Sequence, residues 1–80
     1  MTGTPAPRTL AELTSGESAT VDVLELPPEE LVLVRAMGLS PGVTVEIGHR
    51  GAFGGPIEVR IGDTSLALGR ALAEKVRILP

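Results

Sequence analysis

Residues 43–68 read VTVEIGHRGAFGGPIEVRIGDTSLAL, and this stretch carries the clearest structural pattern in the chain. Apolar and polar residues alternate from Val43 to His49 and again from Ile57 to Ile61, which is the two-residue period of a half-buried strand. The glycine-rich residues 51–56 suit a hairpin loop between these strands. Gly62-Asp63 suits a two-residue hairpin turn that leads into a third alternating segment, Thr64–Leu68. The stretch therefore predicts three successive antiparallel strands.

Upstream of this stretch, residues 18–26 also alternate, but their apolar set changes phase. Ala19, Val21 and Val23 share one face, whereas Leu24 and Leu26 belong to the other face. A one-residue change of phase turns side chains over to the opposite side of the sheet. The pattern therefore predicts a strand with a bulge or sharp bend near Val23–Leu24, of the kind that allows a small barrel to close.

The segment between these strands carries helix signals at both of its ends. Pro28 suits the first helical position, and Glu29 and Glu30 suit the positive end of the helix dipole. The helix is expected to run to about Met37, with Gly38 in a left-handed cap conformation. The following Leu39–Gly42 suits a turn with proline and glycine in its two central positions.

The two ends of the chain complete the predicted architecture. Thr9 to Leu13 suits one helical turn with Thr9 as cap and Glu12 completing a capping box. Arg70 to Glu74 suits another single turn, and Val76 and Ile78 mark a fifth strand. Residues 1–8 are expected to form a disordered tail, and residues 9–80 one domain. The predicted fold class is all-β, a small β-barrel of about five antiparallel strands with a helical insertion between strands 1 and 2.

Composition excludes several classes of function. The 80 residues include no cysteine, one histidine and one aromatic residue, so disulfides, thiolate metal sites and thiol catalysis are ruled out. The net charge of −3 and the lack of aromatic stacking platforms argue against a nucleic acid partner. No apolar run is long enough to span a membrane, so no membrane insertion and a cytoplasmic location are expected.

The sequence offers little material for catalysis, metal binding or cofactor binding. His49 falls on the apolar side of its strand pattern, whereas Glu46 and Glu58 fall on the opposite faces of their strands. A histidine–carboxylate cluster is therefore not expected, and no tight ferrous iron site is predicted. Nucleophilic catalysis needs a base that a third group orients, and one histidine leaves little to build with. Since residues 51–56 precede a strand and not a helix, phosphate binding is not expected either. The chain is interpreted as a non-enzyme without cofactor.

Three segments resemble signatures of the FeoA family, the small ferrous iron transport protein A. These are MGLSPGVTVE at 37–46, AFGGPIEVR at 52–60, and SLALGR with AEKV at 65–70 and 73–76. The resemblance implies an SH3-like barrel and a cytosolic accessory protein that acts on FeoB, the membrane ferrous iron transporter with a cytoplasmic GTP-binding domain. The alternative is a stand-alone regulatory or peptide-binding barrel related to the C-terminal domain of iron-dependent repressors.

This sequence departs from the family pattern at three positions. Leucines at Leu31 and Leu33 replace residues that are commonly basic in the family, and Gly69 stands where the family commonly has arginine. A charged helix surface has thereby become an apolar one. If basic groups there normally meet an acidic partner, this chain is expected to dock in a more hydrophobic way.

The helix carries the sharpest functional hypothesis. Its apolar residues cannot all face one barrel, so they form either ordinary core or a surface for a partner or a second copy. Phe53 either plugs the barrel end or stands exposed as a contact. Glu25, Glu29 and Glu30 form either a solvated cap or a negative rim that steers a partner. The predicted partner-binding residues are Leu31, Val32, Leu33, Met37 and Phe53, the partner being FeoB, with a weak homo-oligomer as a further expectation.

Overall fold

Five strands form one antiparallel sheet in the computed structural model, which describes residues 8–80. In chain order the elements are β1 (Ser18–Leu24), α1 (Pro28–Ala36), β2 (Thr44–Arg50), β3 (Ile57–Ile61), β4 (Thr64–Leu68), α2 (Arg70–Ala73) and β5 (Val76–Ile78). Two short 3-10 turns, Leu10–Glu12 and Ala52–Gly54, precede β1 and β3. Seven of the eight residues of the predicted disordered tail, 1–7, lie outside the described residues.

The strand order is β4-β3-β2-β1-β5. Strand β1 therefore connects the β4-β3-β2 part of the sheet to β5. Its first half, Ser18–Thr20, pairs with β2, whereas its second half, Val21–Leu24, pairs with β5. The register shifts between Val21 and Val23, next to the bend expected near Val23–Leu24. The shift leaves Val23 exposed and Leu24 buried, as a change of phase requires.

One apolar cluster fills the space that the sheet and the helices enclose. Among the described residues it contains no buried polar side chain. Its buried members are Leu10, Leu13, Val21, Leu24, Val34, Leu39, Val45, Ile47, Ile57, Val59, Leu68, Ala73, Val76 and Ile78. The predicted all-β fold, a small barrel of five antiparallel strands with a helix between β1 and β2, is confirmed.

Helix α1 begins at Pro28 and ends in a glycine cap, as predicted. Gly38 adopts φ +100°, a conformation that side chains with a Cβ rarely take. The Gly38 N–H donates to the Arg35 carbonyl at 3.0 Å and the Leu39 N–H donates to the Val34 carbonyl at 3.0 Å, the two bonds of a Schellman motif. Because Leu39 and Val34 are both buried, this cap also fixes the helix to the barrel.

The N-terminal 3-10 turn is held differently from the predicted capping box. The Thr9 hydroxyl makes no hydrogen bond to the backbone of the turn. It donates instead to the carboxylate of Glu12 at 3.3 Å, and the same carboxylate accepts from the Arg8 N–H at 3.2 Å. The prediction that the Thr9 side chain caps this turn was therefore wrong. The Glu12 N–H, which a capping box would pair with the Thr9 hydroxyl, donates to the Thr9 carbonyl at 3.1 Å, and the Glu12 carboxylate accepts from the N–H of Arg8 and not from that of Thr9.

Candidate partner-binding surface

Helix α1 has one buried side and one exposed aliphatic side. Val34 points into the core at 3% exposure, and the half-buried Leu31 packs against the same core. On the other side, Val32 is 68%, Leu33 64% and Met37 41% exposed. Large apolar side chains at this exposure contribute little to the stability of the domain itself, since most of their surface stays in water.

A shallow apolar groove lies between this helix and α2. Its volume is about 190 Å³, and its lining residues are Glu30, Leu33, Val34, Met37 and Leu72. Two of the predicted contact residues, Leu33 and Met37, thus lie in one groove. Val32 lies outside it on the exposed side of the helix. The groove offers a partner an aliphatic surface that is already formed.

Phe53 stands fully in solvent, so the interpretation of this ring as a plug of the barrel end is wrong. Its side chain is 106% exposed, and its backbone adopts the left-handed values φ 55° and ψ 43°. The loop around Phe53 is tight, because the backbones of Gly51 and Gly55 pack against each other. A Cβ on Gly51 would approach the Pro56 carbonyl oxygen to 3.0 Å. The tight loop turns the ring outward.

The short helix α2 borders both the Phe53 loop and the groove. A Cβ on Gly54 would lie 3.6 Å from Nε of Arg70, so the first residue of α2 packs beside this loop. Two residues later, Leu72 lines the groove. Nε of Arg70 is buried and has no hydrogen-bond partner within residues 8–80. Helix α2 therefore has Arg70 beside the Phe53 loop and Leu72 in the groove.

The charge around the groove comes from the first turn of α1. Glu29 and Glu30 occupy this turn, and Glu30 lines the groove itself. Glu25 does not contribute to this charge, because its carboxylate forms an ion pair with Arg77 of β5 at 3.8 Å. Of the three acidic residues considered as a negative rim, two remain available beside the groove.

His49 does not occupy the position that its strand pattern predicts. The register of β2 against β3 shifts between Ile47 and Arg50, which leaves Gly48 buried and His49 exposed. The same shift brings Glu58 to His49, since Oε1 of Glu58 accepts a hydrogen bond from the His49 N–H at 2.9 Å. The expected apolar side for His49 was wrong, because a strict alternation ignores such a shift. The Glu58 carboxylate contacts the backbone N–H of His49.

Side chains that could bind a metal ion do not cluster in the part of the chain that the structure describes. No three His, Asp or Glu side chains there lie close enough together to hold a metal ion. None of the helices within residues 8–80 is long and apolar enough to cross a membrane.

A second cavity lies away from the predicted contact residues. It measures about 430 Å³ and is lined by Leu13, Glu17, Ser18, Ala19, Thr20, Ile78, Leu79 and Pro80. It is larger than the groove on α1, but its lining mixes the polar residues Glu17, Ser18 and Thr20 with apolar ones. We therefore regard the α1 groove, with its exposed aliphatic residues, as the better candidate for partner binding.

Two residues of the candidate surface were not found from the sequence. Leu72 and Arg70 belong to a helical turn that the sequence predicted, but nothing in the local pattern indicates what that turn packs against. Their roles depend on the placement of α2 beside α1 and the Phe53 loop. Such a placement is a tertiary contact that residue spacing along the chain does not encode.

Comparison with known proteins points to one family. The family model described as FeoA domain matches residues 8–80. Among curated proteins no match was found.

Similar solved structures include FeoA proteins and a transcriptional repressor. An iron uptake regulatory protein (FeoA) is 28% identical with a TM-score of 0.78, over 86% of this chain and 91% of that one. A zinc-complexed FeoA from Stenotrophomonas maltophilia, described as an SH3 domain protein, is 31% identical with a TM-score of 0.72, over 89% of this chain and 88% of that one. A manganese-dependent transcriptional repressor is 26% identical with a TM-score of 0.81, over 94% of this chain and 43% of the repressor.

Proposed function

The chain belongs to the FeoA family, and from this premise we propose that it is a non-enzymatic, cytoplasmic protein that binds the cytoplasmic part of a FeoB-type membrane transporter and modulates ferrous iron uptake. The family membership itself implies an accessory role in ferrous iron transport. The S. maltophilia protein has been considered a ferrous iron transport activating factor, which supports a role of this kind.

The observation that carries the proposal is the exposed aliphatic side of α1. Leu33 is 64% exposed although it lies in an apolar groove with Met37 and Leu72. Burying one such leucine against a partner is worth about 1.5–3 kcal/mol, and a few such contacts dominate many protein interfaces. The groove therefore serves as the docking surface for an apolar segment of the transporter.

The chemistry of this helix sets the character of the contact. Leucine at positions 31 and 33 makes the helix less basic than is common in the family, and Glu29 and Glu30 add negative charge beside the groove. Docking here rests on apolar burial, with the acidic residues favouring a partner segment that also carries lysine or arginine.

The test is a binding measurement between this protein and the purified cytoplasmic domain of the transporter, by isothermal titration calorimetry. Leu33→Glu places a charge in the groove and is expected to weaken binding at least about tenfold, as for loss of a central contact. Leu79→Glu is the matched control, because Leu79 is also exposed, at 47%, but lies at the other cavity. Far-UV circular dichroism of both variants checks that the fold is kept. Binding that Leu33→Glu leaves unchanged would contradict the proposed surface.

A second candidate function is a regulatory or peptide-binding barrel like that of the repressors. The manganese-dependent repressor shares this fold over 94% of the chain, which is the observation that favours it. Absence of binding to the transporter domain would favour this candidate. Peptides captured from a random-sequence display library, with capture lost in Leu33→Glu but not in Leu79→Glu, would support it.

A further inference from the structure

Strand β4 is an edge of the sheet with which no other segment of the described chain pairs. On one side it pairs with β3 along its whole length, without a register shift. On the other side, no backbone group within residues 8–80 forms a hydrogen bond with it. The opposite edge strand, β5, has a partner on its outer side, because Thr9 forms a bridge with Arg77. Of the two sheet edges in the described chain, the β4 edge is therefore the open one.

The turn between β3 and β4 decides which backbone groups of β4 point outward. The turn consists of residues 62–63, so the first pair of the ladder, Ile61 with Thr64, is a hydrogen-bonded pair. Hydrogen-bonded and non-hydrogen-bonded pairs alternate in an antiparallel ladder. The N–H and C=O groups of Ser65 and Ala67 therefore point away from β3. Both residues are exposed, so these four groups are accessible to a further strand.

The β4 strand lacks the features that usually keep two sheet edges apart. Such features are charged side chains, proline or a bulge on the edge strand. The sequence of β4 is TSLAL, which contains neither a charged residue nor a proline, and its register against β3 is continuous. Nothing in the strand itself therefore opposes the addition of another strand to this edge.

The outward groups of β4 are complementary to those of a second, antiparallel β4. A two-fold rotation about Leu66, the middle residue of the strand, places Ser65 of each copy opposite Ala67 of the other. Each of these two pairs forms two backbone hydrogen bonds. The two Leu66 residues form the non-hydrogen-bonded pair between them, with Cβ atoms about 4.5–5.5 Å apart. Since Leu66 is half-buried in one copy, this contact covers apolar surface that the domain leaves in water.

Residues of opposite charge flank the strand. Asp63 precedes β4, and Arg70 follows it by two positions. Asp63 is exposed, and neither residue forms an ion pair within residues 8–80. Because the two copies run antiparallel, Asp63 of each copy comes next to Gly69 and Arg70 of the other. The pairing therefore brings opposite charges together at both of its ends and places no like charges opposite one another within β4.

We propose that two copies of this chain associate through antiparallel pairing of their β4 strands, which joins the two five-stranded sheets into one continuous sheet. Such an isologous contact closes at two copies. Five residues of each copy pair, which covers less than the roughly 1,200–2,000 Å² of a stable interface. Association is therefore expected to be weak. No residue that lines the α1 groove belongs to β4, so the contact does not depend on the surface proposed for the transporter.

Amide hydrogen exchange, followed by nuclear magnetic resonance at several protein concentrations, tests the pairing residue by residue. In one copy the N–H groups of Ser65 and Ala67 are free, whereas that of Leu66 is bonded to β3. When half of the molecules are paired, exchange at Ser65 and Ala67 is expected to be about twofold slower than in the monomer. Exchange at both positions that does not depend on concentration overturns the proposal. Concentration-dependent protection confined to α1 overturns it as well.

Ala67→Pro removes one outward N–H and leaves the side of the strand that pairs with β3 intact. Sedimentation velocity is expected to show this variant as a monomer from about 10 µM to about 1 mM, where weak complexes of the wild type form. Ala67→Val is the matched control, because valine keeps the N–H and suits a strand. It is expected to associate like the wild type, and far-UV circular dichroism checks the fold of both variants. A wild type that stays monomeric, or a folded Ala67→Pro variant that associates normally, overturns the proposal.

A charge exchange tests the antiparallel register and leaves β4 itself unchanged, so it also serves if Ala67→Pro does not fold. Asp63→Lys and Arg70→Glu are each expected to weaken association, because each places like charges side by side. The double variant restores opposite charges and is expected to associate more strongly than either single variant. Single variants that associate like the wild type, or a double variant without recovery, overturn the register. None of these measurements includes the transporter, so their failure is distinguishable from failure of the proposed function.

Discussion

Oε1 of Glu58 on β3 accepts a hydrogen bond of 2.9 Å from the backbone N–H of His49 on β2. The bond lies where the register between these strands shifts, so that the carboxylate replaces a carbonyl of the regular ladder. Gly48 makes room for it, because a Cβ at this position would come within 2.3 Å of Oε1. A side chain thus satisfies a backbone donor that the irregular pairing leaves without a partner.

This hydrogen bond predicts a dependence of stability on pH. The N–H of His49, and secondarily the charge of Arg60, hold the pKa of Glu58 below its ordinary value of 4.5. A lowered folded-state pKa means that the unfolded chain binds the proton more tightly. The stabilisation is therefore present above about pH 4.5 and is lost as pH falls through the folded-state pKa.

Glu58→Gln removes the titrating group while keeping a side-chain oxygen. We expect its free energy of unfolding to change less than that of the wild type between pH 5 and 3 or so, which urea titrations at each pH measure. Glu17 retains its own pH dependence in this variant, because the N–H of Thr14 lowers the pKa of Glu17 independently. An identical pH profile for Glu58→Gln and the wild type would contradict the prediction.

Gly48→Ala tests the space that Glu58 occupies. The added methyl group would meet Oε1 of Glu58 at 2.3 Å and Cδ at 2.8 Å, so the carboxylate must leave the His49 N–H. A loss of about 1–3 kcal/mol is expected, as for an unsatisfied backbone donor. In the Glu58→Ala background the remaining close contact of the methyl group is Nε of Arg60 at 3.1 Å, on a flexible side chain, so the same change is expected to cost less.

Gly69→Ala is the control for the substitution at Gly48. A Cβ on Gly69 meets nothing within 4 Å, and its φ of −61° suits any residue. We expect a clearly smaller change in the free energy of unfolding, measured by the same urea titrations. Equal losses for the two alanine variants would show that the Gly48 site is not specially constrained.

Arg50 joins the N-terminal 3-10 turn to the end of β2. Its Nη1 donates hydrogen bonds to the carbonyl oxygens of Ala11, at 3.2 Å, and Leu13 in a partly buried site. Arg50→Ala leaves both carbonyls without this donor, and we expect a loss of about 1–3 kcal/mol in urea titrations. Arg77→Ala removes an exposed ion pair with Glu25 and is expected to cost less than about 1 kcal/mol. A larger loss for Arg77→Ala than for Arg50→Ala would contradict this assignment.

Ferrous iron is expected to bind weakly to the protein alone. His49 is exposed, and no cluster of three ligand-type side chains occurs within residues 8–80. Because ferrous iron prefers several imidazole and carboxylate ligands together, anaerobic calorimetric titration is expected to show no stoichiometric micromolar binding. Such binding, abolished in His49→Ala, would contradict the prediction and assign the metal to that histidine.

The strands and the helix were predictable because their signals are local. The alternation of apolar and polar residues around Val45 and around Val59 is enough to predict their strands. The end of α1 is predictable from Gly38, because glycine readily adopts the left-handed conformation of a helix cap. The position of His49 was not predictable, because a register shift depends on how two strands meet. A buried glycine in the strand, Gly48, was the one signal that could have indicated it.

The candidate site was predicted only in part. The exposed residues Val32, Leu33 and Met37 followed from an apolar helix that one barrel cannot cover on all sides. Whether Phe53 faces inward depends on loop geometry, and the left-handed backbone that turns the ring outward is rare for a residue other than glycine. The contribution of Leu72 depends on contacts between segments far apart in the chain.

An isolated antiparallel β-bridge pairs Thr9 with Arg77, near the two ends of the described chain. The N–H of Ile78 donates to the carbonyl of Arg8 at 3.0 Å, so the two ends of the described chain leave the barrel side by side. A domain whose entry and exit points adjoin can be spliced into a host polypeptide, or cut open elsewhere and rejoined, with little disturbance to its interior. Circular permutants opened at Gly62-Asp63 are therefore good candidates for engineered sensors and fusion proteins.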